Sequence, residues 1–367
     1  MRKHWMDNLR WVTVLLVLLY HVFYFYNNKG VFGGIGGVGD GPQYQDVVMY
    51  FLYPWFMPLL FLLSGISARY ALEKHSAGEW LKARTRKLLV PGTIGLFVFQ
   101  WMTGYFNTAV SSYVSGTTML PEGVPDVVKY FAWSLSGIGP LWFIQLLWVL
   151  CLVLLAVRAL DKKDKLWTAC SQLNIVWLIL LGVLFWAGEQ TLIRDPRPES
   201  ADGLYNLYKP LFYLIPFLLG YFVFSHDEVQ KKLADAWAPL MACALISGGV
   251  LIGTTFGQDN TSPQYLGSPL NCIYGYLMCL AMMGWFQAKF NRTGKVAGYM
   301  TRSSYGIYIV HYLVIASLGY MMKVYTQLPP AAMYLLLTLA VFTLSPLLYE
   351  LLRRIPFVRW CALGIKK

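Results

Sequence analysis

Charge is scarce in this chain. Asp, Glu, Lys and Arg make up only 13% of its 367 residues, against 57% hydrophobic residues, whereas a soluble globular domain carries about a quarter charged residues. That is too little charge to cover a water-facing surface, but it suits a chain that faces lipid. The six cysteines, at positions 151, 170, 243, 272, 279 and 361, show neither a C-x-x-C pair nor a framework spacing, so they read as small side chains in or beside apolar runs rather than as a disulfide scaffold. There is no H-E-x-x-H helix and no Cys/His ligand set, and no metal is expected. A net charge of +12 invites a nucleic-acid partner, yet the basic residues fall in short clusters between apolar runs and form no arm or stripe, so none is expected. No cleavable signal peptide is evident either, because the first apolar run, LRWVTVLLVLLYHVFYFY, lacks a small-residue cleavage pattern.

What the chain has in abundance is long apolar runs. Ten can be placed, at 9–26, 47–70, 88–109, 139–158, 171–189, 208–225, 236–255, 268–287, 303–320 and 330–351, each near the length that spans a bilayer as a helix. Helices are required because a lipid-exposed backbone must satisfy its hydrogen bonds internally, and the runs are too long and uniform for barrel strands. The expected fold class is therefore all-α: a polytopic helix bundle of about ten transmembrane segments. Placing the termini and even-numbered connections on one side gathers most of the basic residues there, among them Arg2, Lys3, Arg84, Arg86, Lys87, Lys162, Arg353, Arg354, Arg359 and Lys367. By the positive-inside pattern both termini are cytoplasmic, in a cell inner or plasma membrane. The outward loop that holds GVFGGIGGVGDG at 30–41 follows a spanning helix instead of a strand, so its glycines read as a flexible outer loop or re-entrant segment and not as a dinucleotide turn.

An ionisable side chain at membrane depth is expensive and needs a reason. His21 lies about twelve residues into the first run and His311 about eight into the ninth. Arg10 precedes His21 by eleven residues, which returns to nearly the same helix face roughly 16 Å along the axis. A cation at the membrane edge is thereby aligned with a deep imidazole, a geometry suited to a reactant with a phosphate-bearing end in the cytoplasm. A snorkelling arginine and an interhelical histidine bond would also account for the pair. In the ninth run Ser304, Tyr308 and His311 fall at i, i+4 and i+7, one polar seam that should face the bundle interior as substrate lining or as glue between helices. Arg302 stands at its cytoplasmic entrance. The second run carries Pro58, Ser64 and Gly65, and is followed by Arg69, Lys74, Lys82, Arg84, Arg86 and Lys87. That cluster is either topogenic or a holder of diphosphate and ribose-phosphate groups.

Together these segments resemble the membrane-bound acyltransferase 3 family of O-acyltransferases. The likeness begins with DNLRWVTVLLVLLYH, in which Arg10 and His21 match the family's arginine-ten-residues-histidine pattern. It continues through FMPLLFLLSG, KARTRKLLVP, GPLWFIQLLW, FYLIPFLLGY and SSYGIYIVH, over nearly the whole chain. The resemblance implies a cytoplasmic acyl-CoA donor, acetyl-CoA or succinyl-CoA, and a hydroxylated acceptor, a glycan or small molecule, commonly reached from outside. It maps the essential histidine onto His21 and the donor-side arginines onto Arg10, Arg84 and Arg86, with Arg69 as an addition. Ser64, Trp142, Arg302, Ser304, Tyr308 and His311 are carried as pocket candidates. The style of the spans is similar to the subgroup that succinylates periplasmic glucans. Many relatives append an extracellular SGNH hydrolase domain. None is expected in this sequence, which stops about sixteen residues after the tenth run, so 1–367 reads as a single membrane-embedded acyltransferase domain.

The reaction implied is transfer of an acyl group from a thioester to a hydroxyl. Neutral His21 would accept the hydroxyl proton within about 3.2 Å, with an acyl-histidine route as the alternative and Tyr308, Ser304 or His311 as a donor to the oxyanion. The rival class is a transporter or flippase for a glycan, lipid or small solute, using His21 as a proton relay. No inverted repeat or matched pair of broken spans speaks for it. Membrane lipid is a further expected partner, and whether two copies pair as a homodimer is left open by the sequence.

Overall fold

Long apolar runs leave a backbone little choice but to bond within itself, and every described element is helical. The computed structural model describes residues 3–29, 33–38, 43–161, 163–194 and 202–366. Of the residues used above, Arg2, Lys162, Lys367 and parts of the glycine run lie outside these ranges. The helices are α1 His4–Phe25, α2 Tyr44–Leu72, α3 Ala77–Ser115, α4 Asp126–Ser136, α5 Gly139–Leu160, α6 Ile175–Glu189, α7 Tyr205–Phe222, α8 Asp227–Asp235, α9 Trp237–Thr255, α10 Pro269–Lys289, α11 Lys295–Tyr325, α12 Pro330–Leu352 and α13 Pro356–Leu363.

The chain is a multi-pass helical membrane protein with fewer full spans than the ten expected. Among the described residues eight helices are long and apolar enough to cross, or nine if α7 and α8, bent by 104°, count as one span. The run at 171–189 loses its first turn to Asn174, whose side chain accepts hydrogen bonds from the amides of Val176 and Trp177 and starts the helix there. What remains, α6, falls short of the roughly 20 residues that the hydrocarbon core requires.

Two compact units are distinguished. One comprises Met1–Thr13, Tyr50–Lys82 and Val149–Thr301; the other comprises Val14–Met49, Ala83–Trp148 and Arg302–Lys367. In the first, α2 continues through Pro54 and Pro58 and meets α7 at two glycines. A Cβ on Gly65 would overlap the carbonyl of Phe217, and one on Gly220 would overlap that of Leu62. With little hydrophobic drive between helices in lipid, such small-residue contacts are how backbones come close enough to attract.

In the second unit α3 is interrupted by two π-helical turns, Thr85–Leu89 and Leu96–Gln100, of the kind that gathers at functional sites. The glycine run is no loose outer loop over its described part: the amide of Ile35 bonds the carbonyl of Phe25 at 2.7 Å. Gly33 and Gly36, at φ +92° and +93°, supply left-handed backbone that folds residues 33–38 back onto the end of α1.

Gly65→Ala is expected to lower stability by about 1–3 kcal/mol through overpacking, read as a fall in the thermal midpoint of detergent-solubilised protein. Gly249→Ala, where a Cβ meets open space, should leave the midpoint unchanged or raise it.

Candidate functional site

The second unit joins the two deep histidines. His311 on α11 is fully buried, and its Nε2 lies 3.2 Å from Nδ1 of His21 on α1. The His21 Nδ1 is also 2.8 Å from the carbonyl of Val17 one turn earlier, and the His311 Nδ1 is 2.6 Å from the carbonyl of Tyr308. A carbonyl can only accept, so each Nδ1 must carry a proton. Neutral His311 then has its lone pair on Nε2 and accepts from the His21 Nδ1–H, which is shared with Val17. The consequence is that the remaining nitrogen of His21, Nε2, holds a lone pair. The rings of Tyr20, Tyr24 and Tyr312 present edges to the His21 imidazole at centroid distances of 5.3, 5.9 and 5.4 Å. The arrangement is a base held in one tautomer by a second imidazole and walled by aromatics.

The seam on α11 supports this pair. Ser304, Tyr308 and His311 are all buried. The Tyr308 hydroxyl donates to the carbonyl of Pro140, in the 3₁₀ turn Gly139–Leu141 that opens α5, and Phe143 stands edge-on to its ring at 6.0 Å. That proton is therefore engaged with the backbone, as is the Nδ1 proton of His311, so both side chains position the site. Half-buried Trp142 directly follows the same turn. Gln100, at the end of the second π turn, donates from its amide to the carbonyl of Ile309 at 3.0 Å and accepts from Thr103 at 2.8 Å. Sequence reasoning passed over Gln100, although a glutamine inside LFVFQW was a visible signal.

One end of this unit is basic. Arg86 and Lys87 lie in the first π turn with Arg84 immediately before it. The indole of Trp148 donates to Thr85 Oγ1 at 3.0 Å. The Tyr305 hydroxyl, one turn into the polar face of α11, donates to the carbonyl of Lys87, and the Lys87 ammonium sits 5.1 Å from the Tyr305 ring centre. Arg302 is exposed nearby on the same helix.

The remaining candidates belong to the first unit. Arg10 is half-buried and donates to Ser67 Oγ at 2.7 Å while approaching Asp7 at 3.3 Å. Ser64 Oγ bonds the carbonyl of Leu60 in its own helix at 2.7 Å. Arg69 is buried, with its two terminal nitrogens 2.9 and 3.2 Å from the two carboxylate oxygens of Asp164 and its Nε 2.9 Å from Glu73. Its plane lies 4.0 Å from the centre of the Trp167 ring. This guanidinium is engaged by protein partners and ties α2 to the segment after α5. Among the described residues no group of three or more His, Cys, Asp or Glu side chains is placed to hold a metal ion.

Compared with protein families, residues 3–350 match the family model described as "Acyltransferase domain". The chain matches no curated protein and no solved structure.

Replacing Arg69 by Leu strands Asp164 and Glu73. Both carboxylates are partly solvated, 39% and 44% exposed, so the expected loss is moderate, about 1–3 kcal/mol, read from the thermal midpoint in detergent. Arg69→Lys should not restore it, because an ammonium cannot make the two-pronged, stacked contact. An unchanged midpoint in Arg69→Leu would refute the structural role.

Proposed function

Because the chain belongs to this acyltransferase family, we propose that it is a membrane O-acyltransferase that moves an acetyl or succinyl group from cytoplasmic acyl-CoA to a hydroxyl of a glycan or small molecule. The observation that carries the reading is the contact of His21 Nδ1 with His311 and Val17, which leaves the lone pair of that imidazole on Nε2. In the proposed reaction this nitrogen takes the proton of the acceptor hydroxyl as its oxygen attacks the thioester carbonyl. The tetrahedral species collapses, the carbon–sulfur bond breaks, and the departing CoA thiolate recovers the proton from the His21 imidazolium. While charged, that imidazolium donates its Nδ1–H to His311 and Val17, both acceptors, so the positive charge forms against oriented dipoles. His311 is thus a positioning residue for His21.

The donor side is assigned to the basic end of the second unit, with Arg84 and Arg86 as phosphate contacts and Arg302 at its rim. Arg10, about three turns before His21 on the uninterrupted helix α1, is retained as a donor-side candidate in its own right. Arg69 is left out because Asp164 and Glu73 occupy it. Ser304 and Trp142 are retained as pocket-lining residues. If the eight single helices are the spans, both termini fall on one face, and the lysines and arginines gathered near them support a cytoplasmic placement of that face, and with it donor access from the cytoplasm. The likeness of the spans to glucan succinyltransferases favours a succinyl donor and a sugar hydroxyl.

The test is acceptor-dependent release of CoA by purified protein in lipid nanodiscs, given acetyl-CoA or succinyl-CoA and an extract of envelope glycans and hydroxylated metabolites. His21→Ala should lower turnover by about 10²–10⁴-fold with the protein still folded. His311→Leu should lower kcat by a smaller factor with little change in KM, and His311→Gln, whose carbonyl can still accept from the His21 Nδ1–H, should recover part of it. No release from either donor by intact wild-type protein would overturn the reading.

A further inference from the structure

The reaction proposed above gathers negative charge on the thioester oxygen as the tetrahedral species forms, and the side chains that the sequence offers to meet it are engaged or distant. The Tyr308 hydroxyl donates to the Pro140 carbonyl, and the His311 Nδ1–H to the Tyr308 carbonyl. Ser304 precedes His311 by seven residues, about 10 Å along α11, and so stands well before the imidazole pair. One hydroxyl of the same helix is held less firmly. Tyr312 donates to the carbonyl of Gly33 at 3.5 Å, where O–H···O bonds are about 2.5–3.0 Å, and among the described residues its hydroxyl makes no other hydrogen bond.

The Tyr312 ring, by contrast, is fixed. It stands across the His21 imidazole with ring centres 5.4 Å apart and planes at 78°, and its centre is 6.2 Å from that of His311, its neighbour in sequence. A Cβ on Gly139, in the turn that also receives Tyr308, would come 3.5 Å from the Tyr312 ring, so the backbone of that turn packs against it. Gly33 is held in its turn by the bond of the Ile35 amide to the Phe25 carbonyl, at a place where a Cβ would fall 2.7 Å from the Tyr24 hydroxyl. Tyr312 is buried while His21 is half-buried, so a reactant has access to the imidazole beside a ring that packing keeps in place.

We infer that Tyr312 is a catalytic residue of the transfer, the donor whose phenolic O–H turns from the Gly33 carbonyl to the thioester oxygen as negative charge gathers there. This deepens the acyl-transfer reading above and rests on it for the identity of the reacting atoms. The phenol gives a hydrogen bond and keeps its proton. The acceptor oxygen bonds to the carbonyl carbon, and the π electrons of the carbonyl move onto its oxygen. They return when the carbon–sulfur bond breaks, and the thiolate takes its proton from His21 as before. A long bond to a neutral carbonyl is thus exchanged for a short one to an oxyanion, which is about twice as strong and is made only as the transition state forms. With the ring already in place, the exchange needs only the rotation of one O–H.

Wild type, Tyr312→Phe, Tyr24→Phe and, as a control, Tyr325→Phe, whose ring is exposed at the end of α11, are reconstituted in nanodiscs. Turnover is followed as kcat and donor KM for acetyl-CoA and succinyl-CoA. Dissociation constants are measured by calorimetry for CoA and for a CoA thioether carrying a trifluoromethyl ketone, which hydrates in water to a tetrahedral diol. Tyr312→Phe should lower kcat about 10²-fold with donor KM within twofold, and should weaken the tetrahedral probe at least tenfold while CoA binds as before. Tyr24→Phe should have the smaller effect on both, and Tyr325→Phe none. Should Tyr312→Phe not purify folded, Tyr312→3-fluorotyrosine keeps the ring and is the stronger donor, so it should bind the probe more tightly than wild type; unchanged affinity would then overturn the inference. A Tyr312→Phe kcat within threefold of wild type would also overturn it, as would equal losses for the probe and for CoA. Losses confined to Tyr24→Phe would move the donor to that residue. Wild-type turnover with an indifferent Tyr312 leaves the acyl-transfer reading standing and this role refuted, whereas no turnover by intact wild type removes both.

Discussion

Two backbone carbonyls fix the protonation pattern on which the second unit's chemistry depends. Because Val17 and Tyr308 offer only lone pairs to the Nδ1 atoms of His21 and His311, neither imidazole can choose its tautomer. Protons are donated one way, from His21 to His311 and from His311 to the Tyr308 carbonyl, which leaves the base at the far nitrogen of His21. A carboxylate in the place of His311 would hold the same tautomer but would bury a full charge at membrane depth, which is costly without a partner. A neutral imidazole achieves the orientation with a dipole. Its own orientation comes from α11 itself, which Tyr308 ties to the Pro140 carbonyl and Gln100 ties to α3.

The two π turns of α3 serve the two ends of this unit. A π turn inserts a residue into the helical repeat and so shifts the side chains beyond it relative to those before it. The first turn carries Arg86 and Lys87 and receives the hydroxyl of Tyr305. The second ends at Gln100, whose backbone is close enough to α4 that a Cβ on Gly137 would overlap its carbonyl. Both α11 contacts, at Tyr305 and at Ile309, are thus made with irregular stretches of the same helix. The spacing between the basic end and the imidazole pair is held by α3 and α11 jointly.

Features confined to one helix were legible in the sequence. The depth of His21 follows from counting along an apolar run, and the buried face of α11 follows from Ser304, Tyr308 and His311 at helical spacing. Features that depend on partners far away in the chain were not. The His21–His311 contact spans 290 residues and the Arg69–Asp164 contact 95, and a single sequence carries no sign of either pairing. The sixth helix was overcounted for a local reason: hydropathy summed over 171–189 does not register that Asn174 caps a helix and ends the run on its N-terminal side. Arg359 was counted only as a topological charge, since nothing in its neighbours reveals that its Nε is shielded.

The contrast of Arg69 with Arg86 and with Arg359 separates two environments of the same side chain. All three are basic residues that the sequence assigns to the cytoplasmic side, and composition cannot tell them apart. Arg69 meets two carboxylates and an indole plane, so its desolvation is offset within the protein and a phosphate would have to displace those partners. Arg86 and Arg359 have their Nε atoms withdrawn from water without a hydrogen-bond partner among the described residues, a cost that the rest of the fold must offset. Basic clusters in membrane proteins therefore divide by their bonding partners rather than by their count: a saturated guanidinium such as Arg69 braces helices, and a phosphate could reach it only by displacing the partners it already has.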